Sequence, residues 1–440
     1  MGRLFGTDGV RGVVGESLTD DLARSIGAAA ATTLIDHGQG RPLFIVGRDT
    51  RASGELLEAA ISEGISSAGG SVLVAGVVPT PTVAFLASEM DAAGVVISAS
   101  HNPAEYNGIK LFASSGYKLP DSLEDEIEAL VISPPIAAPR RGSVESLPDA
   151  RERYLHHLTD PGDRLDGMKI VVDCANGAAS GLAAEAYRRL GAKVRVLNDA
   201  PDGTNINAGC GALHPGVVAT EVVRTGADAG VAHDGDADRA LFSDAAGSVV
   251  DGDQVLAACA VHLKGLGSLT ANIVVSTVMA NIGFRRAMAE ADIRVQTSKV
   301  GDRYVLEEML KAGAVLGGEQ SGHLIFSDRA TTGDGILTAI RFLSASARTG
   351  VPVAGLAALM RRYPQVLLNV TVADADALGE AAPVWEAVGV SEHELGDSGR
   401  VLVRASGTEP LVRVMVEAET EETAFRHAEA IAEQVKLALG

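Results

Sequence analysis

The sequence predicts an α/β fold with three related α/β domains followed by a smaller α+β domain. Two observations carry this prediction: one βαβ-like pattern occurs three times, and the end of the chain has a different pattern. The length of 440 residues agrees with it, because a single hydrophobic core rarely supports so long a chain.

The repeated pattern begins at Leu43, Lys169 and Asn272. Each copy has a short β-branched run, a turn of small residues, an Ala-rich amphipathic stretch and a second apolar run. Continuous apolar strands alternating with amphipathic helices are typical of a parallel sheet covered on both faces. The recurrence therefore predicts three related domains with mainly parallel sheets.

The final segment contains the strand-like runs LLNVTV, RVLVRASG and LVRVMVEAE. A helix is predicted after them, because apolar residues recur at helical spacing. These residues are Phe425, Ala428, Ala432, Val435 and Leu439. The segment predicts a small α+β domain.

Domain boundaries follow from these patterns and from turn-rich segments. The predicted domains are residues 1–158, 159–252, 253–364 and 365–440. The predicted linkers are ISPPIAAPRRGSVESLP from Ile132, DAAGSVVDGDQ near Asp251, and RRYPQ at 361–365.

Composition excludes several function classes. Apolar residues make up 46% of the chain and charged residues 21%, which is typical of a folded globular protein. The formal charge of -20, without a run of basic residues, disfavours nucleic acid and anionic lipid as partners. No apolar stretch is long enough for a secretory signal or a membrane span, so neither is expected.

The three cysteines, Cys174, Cys210 and Cys259, are far apart and form no CxxC pair. This spacing disfavours a disulfide framework and a thiolate zinc site. A reducing, cytoplasmic location is therefore expected.

The string SASHNP places Ser100 where a predicted parallel strand ends and a loop begins. Open α/β sheets bind ligands at that edge, so a hydroxyl nucleophile open to a cleft is expected there. The GxSxG turn of serine hydrolases is absent, which disfavours acyl transfer. The alternative is a serine that caps a following helix, with His101 on the surface.

The string DGDADR places Asp234, Asp236 and Asp238 at alternate positions after a predicted strand. Alternate residues of an extended chain point the same way, so the three carboxylates can converge on one cation. An EF-hand loop would need Gly at Arg239 and Glu at Ala245, so it is excluded. A solvated acidic turn remains the alternative.

Mg²⁺ takes few protein carboxylates and completes its shell with water or phosphate oxygens. A phosphate on Ser100 would supply such an oxygen, and Arg239 could hold a non-transferring oxygen. The sequence thus predicts phosphoryl transfer at one Mg²⁺ site.

Two further strings are suited to ligand binding. RASGTEP combines two hydroxyls and a Gly turn with Arg404 and Arg413, as a cradle for a dianionic phosphate would. Its predicted members are Arg404, Ser406, Gly407, Thr408 and Arg413. GEQSGH presents Glu319, Ser321 and His323, which suit hydroxyls or an amine. An ordinary turn is the alternative for both strings.

GRDTRASG at Gly47 matches neither a dinucleotide fingerprint nor a phosphate-binding P-loop. No function is predicted for it.

Along the chain the four strings follow the order SASHNP, DGDADR, GEQSGH and RASGTEP. In that order they resemble the α-D-phosphohexomutase superfamily, and the resemblance extends from FGTDGVRG near the start to RASGTEP near the end. The resemblance implies mixed, mainly parallel sheets and four domains around a central cleft, each contributing one loop. FGTDGVRG, VGDRYV and the Gln320 form of GEQSGH are most similar to the branch that acts on glucosamine phosphates.

The resemblance also implies roles. Ser100 is the phosphoserine and a metal ligand, the three aspartates bind Mg²⁺, and GEQSGH holds the sugar. The RASGTEP residues hold the phosphate that is not transferred. Lys110 and His101 are the implied proton carriers, and Arg11 lines the cleft near the phosphoserine.

The implied reaction interconverts glucosamine 6-phosphate and glucosamine 1-phosphate, on the route to UDP-N-acetylglucosamine and cell-wall precursors. Glucosamine 1,6-bisphosphate is the intermediate and an activator candidate. Mannose or glucose phosphate as substrate, a non-catalytic phosphosugar-binding regulator and a magnesium-dependent phosphatase remain alternatives. The sequence does not fix the oligomeric state, and a homodimer is compatible with it.

Overall fold

The computed structural model of the protein describes residues 4–6, 8–132, 141–159, 162–406 and 410–440. Its contacts divide the chain into two compact units. The larger unit comprises Met1–Met279 and Ile293–Leu359, and the smaller unit comprises Ala280–Asp292 and Met360–Gly440.

The first domain is a six-stranded mixed sheet in the order β1-β5-β4-β2-β3-β6. Its strands are β1 Val10–Val13, β2 Leu43–Arg48, β3 Ser71–Val77, β4 Ala93–Ile97, β5 Tyr106–Phe112 and β6 Val144–Ser146. Its helices are α1 Asp20–Leu34, α2 Gly54–Ser67, α3 Thr80–Glu89, α4 Asp121–Ile132 and α5 Ala150–Leu158. Strand β2 is parallel to β3 and β4, whereas β5 is antiparallel to both of its neighbours.

Both faces of this sheet are covered, which explains the continuous apolar runs in the sequence. Val46 and Val95 pack in the core on one face, and Ile45 and Val96 pack in a second core on the other. The predicted linker after Ile132 is partly wrong, because β6 pairs in parallel with β3 as the sheet edge. Residues 133–140 of that segment lie outside the described residues.

The second domain is a five-stranded sheet in the order β11-β10-β9-β7-β8. Its strands are β7 Lys169–Asp173, β8 Lys193–Leu197, β9 Ala229–His233, β10 Ala240–Asp244 and β11 Val249–Val250, and its helices are α6 Ala183–Arg189 and α7 Gly216–Thr225. Strand β7 is parallel to β8 and β9, and β10 is antiparallel to β9 and β11. The predicted linker near Asp251 is instead the β10–β11 hairpin followed directly by a helix, which Asp251 caps.

The third sheet has the order β13-β12-β14-β15. Its strands are β12 Ile273–Thr277, β13 Arg294–Ser298, β14 Leu316–Gly318 and β15 Leu324–Phe326. The helices of this region are α8 Gly252–Gly265, α9 Ile282–Glu290, α10 Asp302–Ala312, α11 Gly335–Thr349 and α12 Val353–Ala357. Helix α9 follows β12 in sequence, but its contacts assign it to the smaller unit.

The smaller unit contains an antiparallel sheet in the order β16-β18-β17. Its strands are β16 Gln365–Thr371, β17 Arg400–Ala405 and β18 Leu411–Glu417, and its later helices are α13 Ala382–Leu395 and α14 Glu421–Leu439. The predicted helical face is corrected by about one position, because Phe425 is 47% exposed while Ala424 and Ile431 are buried. Ala428, Ala432 and Val435 are buried as expected.

The predicted fold class is confirmed: three α/β regions with mixed, mainly parallel sheets precede a small α+β region. Each predicted βαβ unit is present, with β2–β3, β7–β8 and β12–β13 as parallel pairs. Among the helices that the structure describes, none combines the length and apolar character that a bilayer crossing requires.

Candidate active site

A cavity of about 490 Å³ lies in the larger unit, lined by loops from all three of its sheets. The first domain contributes Asp8, Arg11 and His101 among others. The lining residues after β9 and in the third region are Asp238, Arg239, Val300, Gly301, Asp302, Glu319 and His323.

Ser100 lies in the loop after β4, in a left-handed backbone conformation with φ of 51°. Its Oγ donates to Oδ2 of Asp234 at 2.7 Å. The following element is strand β5, so the helix-capping alternative is wrong. The residue is only 1% exposed, so the unphosphorylated hydroxyl is less open to the cavity than the sequence predicts.

His101 is half-buried beside this serine and lines the cavity. Its Nδ1 lies 3.4 Å from the Ser100 Oγ. Burial lowers the pKa of His101 to about 4, with the charges of Arg239 and Arg11 acting in the same direction. The imidazole is therefore neutral at pH 7.

The three aspartates lie in the loop after β9 and converge as the alternating pattern predicts. Asp234, Asp236 and Asp238 are all buried, and one oxygen of each lies within 4.8 Å of the others. The solvated-turn alternative is therefore wrong. Burial raises the pKa of Asp234 well above its ordinary value, and the charges of the other two carboxylates raise it further.

This donor set fits a hard divalent cation. Oδ1 of Asp236 and Oδ1 of Asp238 are buried without a hydrogen-bond partner among the described residues. Buried carboxylates this close repel one another unless a cation compensates them. Oxygen ligands of this kind suit Mg²⁺ or Ca²⁺ rather than a soft metal.

Lys110 on β5 is buried. Its Nζ lies 3.0 Å from Oδ2 of Asp236 and 3.0 Å from Oδ2 of Asp8. Burial would lower the pKa of Lys110, but the charges of Asp236 and Asp8 outweigh it and raise the pKa well above the ordinary value. The amine therefore holds its proton at neutral pH.

Two arginines line the cavity. Arg11 donates to Oδ2 of Asp8. The Nε of Arg239 lies 3.7 Å from Oδ1 of Asp238 and 3.9 Å from Oδ2 of Asp234. Both guanidinium groups supply positive charge beside the carboxylate cluster, as an anionic substrate requires.

The GEQSGH string forms the turn between β14 and β15. Glu319 and His323 line the cavity, and Oε1 of Glu319 accepts from the Gly301 amide at 3.0 Å. Nε2 of His323 accepts from the Gly333 amide at 3.1 Å, and its Nδ1 faces Oδ2 of Asp238 at 3.6 Å. The Oγ of Ser321 is buried and has no partner within the described part of the chain.

The RASGTEP residues belong to the smaller unit. Arg404 on β17 lies directly opposite Arg413 on β18. Like charges placed opposite each other are destabilising, and a bound dianion would relieve the repulsion. The Ser406 amide donates to the Leu411 carbonyl at 2.9 Å. Gly407 and Thr408 lie outside the described residues.

Sequence reasoning missed several residues that line the cavity or contact its charged groups. Asp8 links Lys110 to Lys118, and Lys118 also donates to Asp302. Thr80 donates through its Oγ1 to Oδ2 of Asp236 at 2.7 Å. Asp8 and Asp302 lie within the strings FGTDGVRG and VGDRYV, but only the fold shows that they meet.

Four descriptions of one protein family match consecutive parts of the chain. They are the phosphoglucomutase/phosphomannomutase alpha/beta/alpha domain I at residues 2–134, domain II at 152–247, domain III at 251–363 and the C-terminal domain at 367–434.

Individual relatives match over almost the whole chain. A phosphoglucosamine mutase of Rhodococcus opacus is 53% identical over 442 residues, covering 98% of this chain and 99% of the relative. A phosphoglucosamine mutase of Desulforudis audaxviator is 54% identical over 429 residues, covering 96% and 95%. The crystal structure of a phosphoglucomutase/phosphomannomutase family protein from Burkholderia thailandensis superimposes with a TM-score of 0.84 at 25% identity, covering 99% of this chain and 97% of that one.

Proposed function

Because the chain belongs to the phosphoglucomutase/phosphomannomutase family, we propose that it is a phosphoglucosamine mutase that interconverts glucosamine 6-phosphate and glucosamine 1-phosphate. The identity above 50% to phosphoglucosamine mutases over nearly the full length supports this substrate. The observation that carries the chemistry is the Ser100 hydroxyl, hydrogen-bonded to a buried cluster of three aspartates.

In the proposed reaction Ser100 carries a phosphoryl group. The O1 hydroxyl of glucosamine 6-phosphate attacks this phosphorus, the P–Oγ bond breaks and the P–O1 bond forms. Neutral His101 accepts the O1 proton and returns it to Oγ, so charge and protons balance. The product of this half-reaction is glucosamine 1,6-bisphosphate.

The bisphosphate then turns over and presents its 6-phosphate. The Ser100 Oγ attacks that phosphorus, the P–O6 bond breaks, and the serine proton passes to O6. Glucosamine 1-phosphate leaves and the phosphoserine is restored.

We assign the metal site to Asp234, Asp236 and Asp238 together with an oxygen on Ser100. Mg²⁺ bound there would withdraw charge from the phosphoryl group and favour its transfer. Lys110 holds a proton and offsets the charge of Asp236, so in this proposal it supplies positive charge beside the transferred group.

The remaining residues bind the substrate in this proposal. Arg11 and Arg239 offset the charge of the transferred group. Glu319, Ser321 and His323 hold the sugar, since Glu319 and His323 line the cavity. Arg404 and Arg413 supply the charge for the other phosphate, and Ser406, Gly407 and Thr408 complete that cradle.

The decisive test is Ser100→Ala assayed with glucosamine 6-phosphate after priming with a hexose bisphosphate. We expect turnover to fall by at least about 1,000-fold, because in this proposal Ser100 carries the phosphoryl group between the two oxygens. Intact-mass measurement with peptide mapping should place one phosphate on Ser100 in the wild type and none in the variant. Normal turnover in the variant would refute the assignment.

Three controls separate the rival functions. Glucose and mannose phosphates in the same assay test the substrate, and the ratio of kcat/KM should favour the glucosamine compound. Release of inorganic phosphate without an activator would indicate a phosphatase. Chelation of divalent ions should stop turnover, and added Mg²⁺ should restore it.

A further inference from the structure

We propose that Arg51 is a positioning residue that fixes the backbone of the Ser100 loop so that its Oγ faces the aspartate cluster. The inference rests on the proposed function, since it concerns the nucleophile assigned there. It gives a role to GRDTRASG, the string to which the sequence alone assigned none.

The guanidinium of Arg51 is fully buried and all five of its N–H groups have an acceptor. Nε donates to Oδ2 of Asp49 at 2.9 Å. The other four donate to the carbonyl oxygens of one loop: Ser100 at 3.1 Å, Asn102 at 2.8 Å, Tyr106 at 2.9 Å, and Pro103. One side chain therefore holds both ends and the middle of the loop.

Asp49 connects this arginine to the serine from the other side. Its Oδ1 accepts from the Arg51 amide at 3.0 Å, and its Oδ2 also accepts from the Ser98 hydroxyl at 2.6 Å. The Ser98 Oγ in turn accepts from the Ser100 amide at 2.9 Å. The Ser100 peptide is thus held at its N–H by Ser98 and at its C=O by Arg51.

A residue from the second domain completes the arrangement. The side-chain amide of Asn207 donates to the Ser100 carbonyl at 2.9 Å and to the Asn102 carbonyl at 3.0 Å. These are two of the four carbonyl groups that Arg51 binds. The second domain, which carries the aspartates, is therefore also bonded to the backbone of the nucleophile loop.

This network has a specific task, because Ser100 has a positive φ that non-glycine residues rarely adopt. Such a conformation persists only when its surroundings determine it. Without the hydrogen bonds from Arg51, Ser100 would relax toward ordinary backbone angles, and its Oγ would move away from Asp234. A displacement of about 1 Å of a reacting group can cost roughly 100-fold in rate.

The test is Arg51→Lys in the full-length enzyme, because lysine keeps the charge but cannot bind five acceptors. We expect kcat to fall about 100-fold while KM for glucosamine 6-phosphate changes less than about 3-fold. The ³¹P NMR resonance of phospho-Ser100 should shift or split, since the loop would no longer hold one conformation. A merely structural arginine would lower stability and leave the resonance and kcat per folded enzyme unchanged.

Arg341→Lys is the matched control, since Arg341 binds Asp163 and Asp328 instead of this loop. Its kcat and its ³¹P resonance should equal those of the wild type. If Arg51→Lys does not fold, Asn207→Gly removes two donors to the same loop while tolerating the positive φ of 59° there. In this variant too, kcat should fall while KM for glucosamine 6-phosphate changes little.

Two results would overturn the inference: wild-type kcat in folded Arg51→Lys, or an unchanged resonance with unchanged kcat in Asn207→Gly. Failure of the proposed function gives a different result, because the wild type itself would then turn over no glucosamine phosphate.

Discussion

His233 shows how burial fixes the charge of a single residue beside the aspartate cluster. Its Nδ1 donates to the Arg239 carbonyl at 3.0 Å, and its Nε2 accepts from the Tyr187 hydroxyl at 2.8 Å. Burial lowers the pKa of His233 to about 4, so the ring is neutral in the folded protein. Lys110 shows the opposite balance, because the charges of Asp236 and Asp8 outweigh its burial, raise its pKa and keep it charged.

A pH dependence of stability follows from His233. In the unfolded chain the pKa of His233 is about 6.5. On acidification the imidazole is therefore protonated in the unfolded state while it stays neutral in the folded state. The contribution of His233 to the free energy of unfolding is fully present above pH 6.5 and is lost as the pH falls toward 4. We expect His233→Gln to remove about 2 kcal/mol of the decrease in unfolding free energy between pH 7 and pH 5.

Denaturant unfolding at the two pH values measures this difference. Asp334, whose pKa burial raises to about 6, contributes in the opposite direction but is present in both proteins and cancels. His37→Gln is the control, because that imidazole is half exposed. Equal pH dependence in wild type and His233→Gln would contradict the assignment.

At the scale of elements, the site is built from loops that leave the ends of strands in different sheets. The loop after β4 carries Ser100, the loop after β9 carries the aspartates, and the loop after β7 supports the latter. The backbones of the loops after β7 and β9 approach closely, since a Cβ on Gly177 would lie 2.3 Å from the Gly235 carbonyl oxygen. The loops after β7 and β9 therefore need small residues where their backbones meet.

Gly177→Ala should accordingly push the aspartate loop out of place. We expect a loss of about 1–3 kcal/mol in unfolding free energy and weaker Mg²⁺ binding by calorimetry. Gly389→Ala is the matched control within α13, where an added Cβ meets nothing within 4 Å. That variant should gain about 0.5–1 kcal/mol and bind Mg²⁺ normally. Unimpaired stability and Mg²⁺ binding in Gly177→Ala would show that the loops do not meet so closely.

At the scale of the whole molecule, the chain passes between the two units more than once. Residues Ala280–Asp292, including α9, belong with the C-terminal sheet. Glu417 on β18 accepts from the Ile282 amide at 2.8 Å, and the Asn281 side chain binds both the amide and the carbonyl of Tyr363 at 3.0 Å. The predicted domains 253–364 and 365–440 do not include this grouping of α9 with the C-terminal sheet. The domain boundaries themselves remain a prediction.

Hydrogen exchange tests whether α9 shares its stability with the C-terminal sheet. Val414 is fully buried in that unit, so Val414→Ala should leave a cavity and speed exchange in β16, β17, β18 and α9 together. Helix α10, in the other unit, should keep its protection. Val275→Ala in β12 is the control and should affect α10 but not α9. Unchanged exchange of α9 in Val414→Ala would contradict the grouping.

The sequence by itself determined the fold class and the chemical groups of the site. Apolar periodicity was enough to predict the βαβ units, because parallel strands that are buried on both faces need nearly continuous runs of apolar residues. The alternating aspartates and Ser100 at a strand end were predictable because both signals are local. The face of α14 was predicted about one position out, since Phe425 fits the spacing but only packing decides which side is buried.

Only the tertiary structure decided which charged residues meet. Asp8, Lys118 and Asp302 are far apart in sequence, and Arg51 acts on a loop about 50 residues away, so no local pattern could reveal these contacts. The same holds for the burial of Lys110 and of the Ser100 side chain. Hydrogen bonds and ion pairs depend on distance in space, and that distance is set by how the sheets pack.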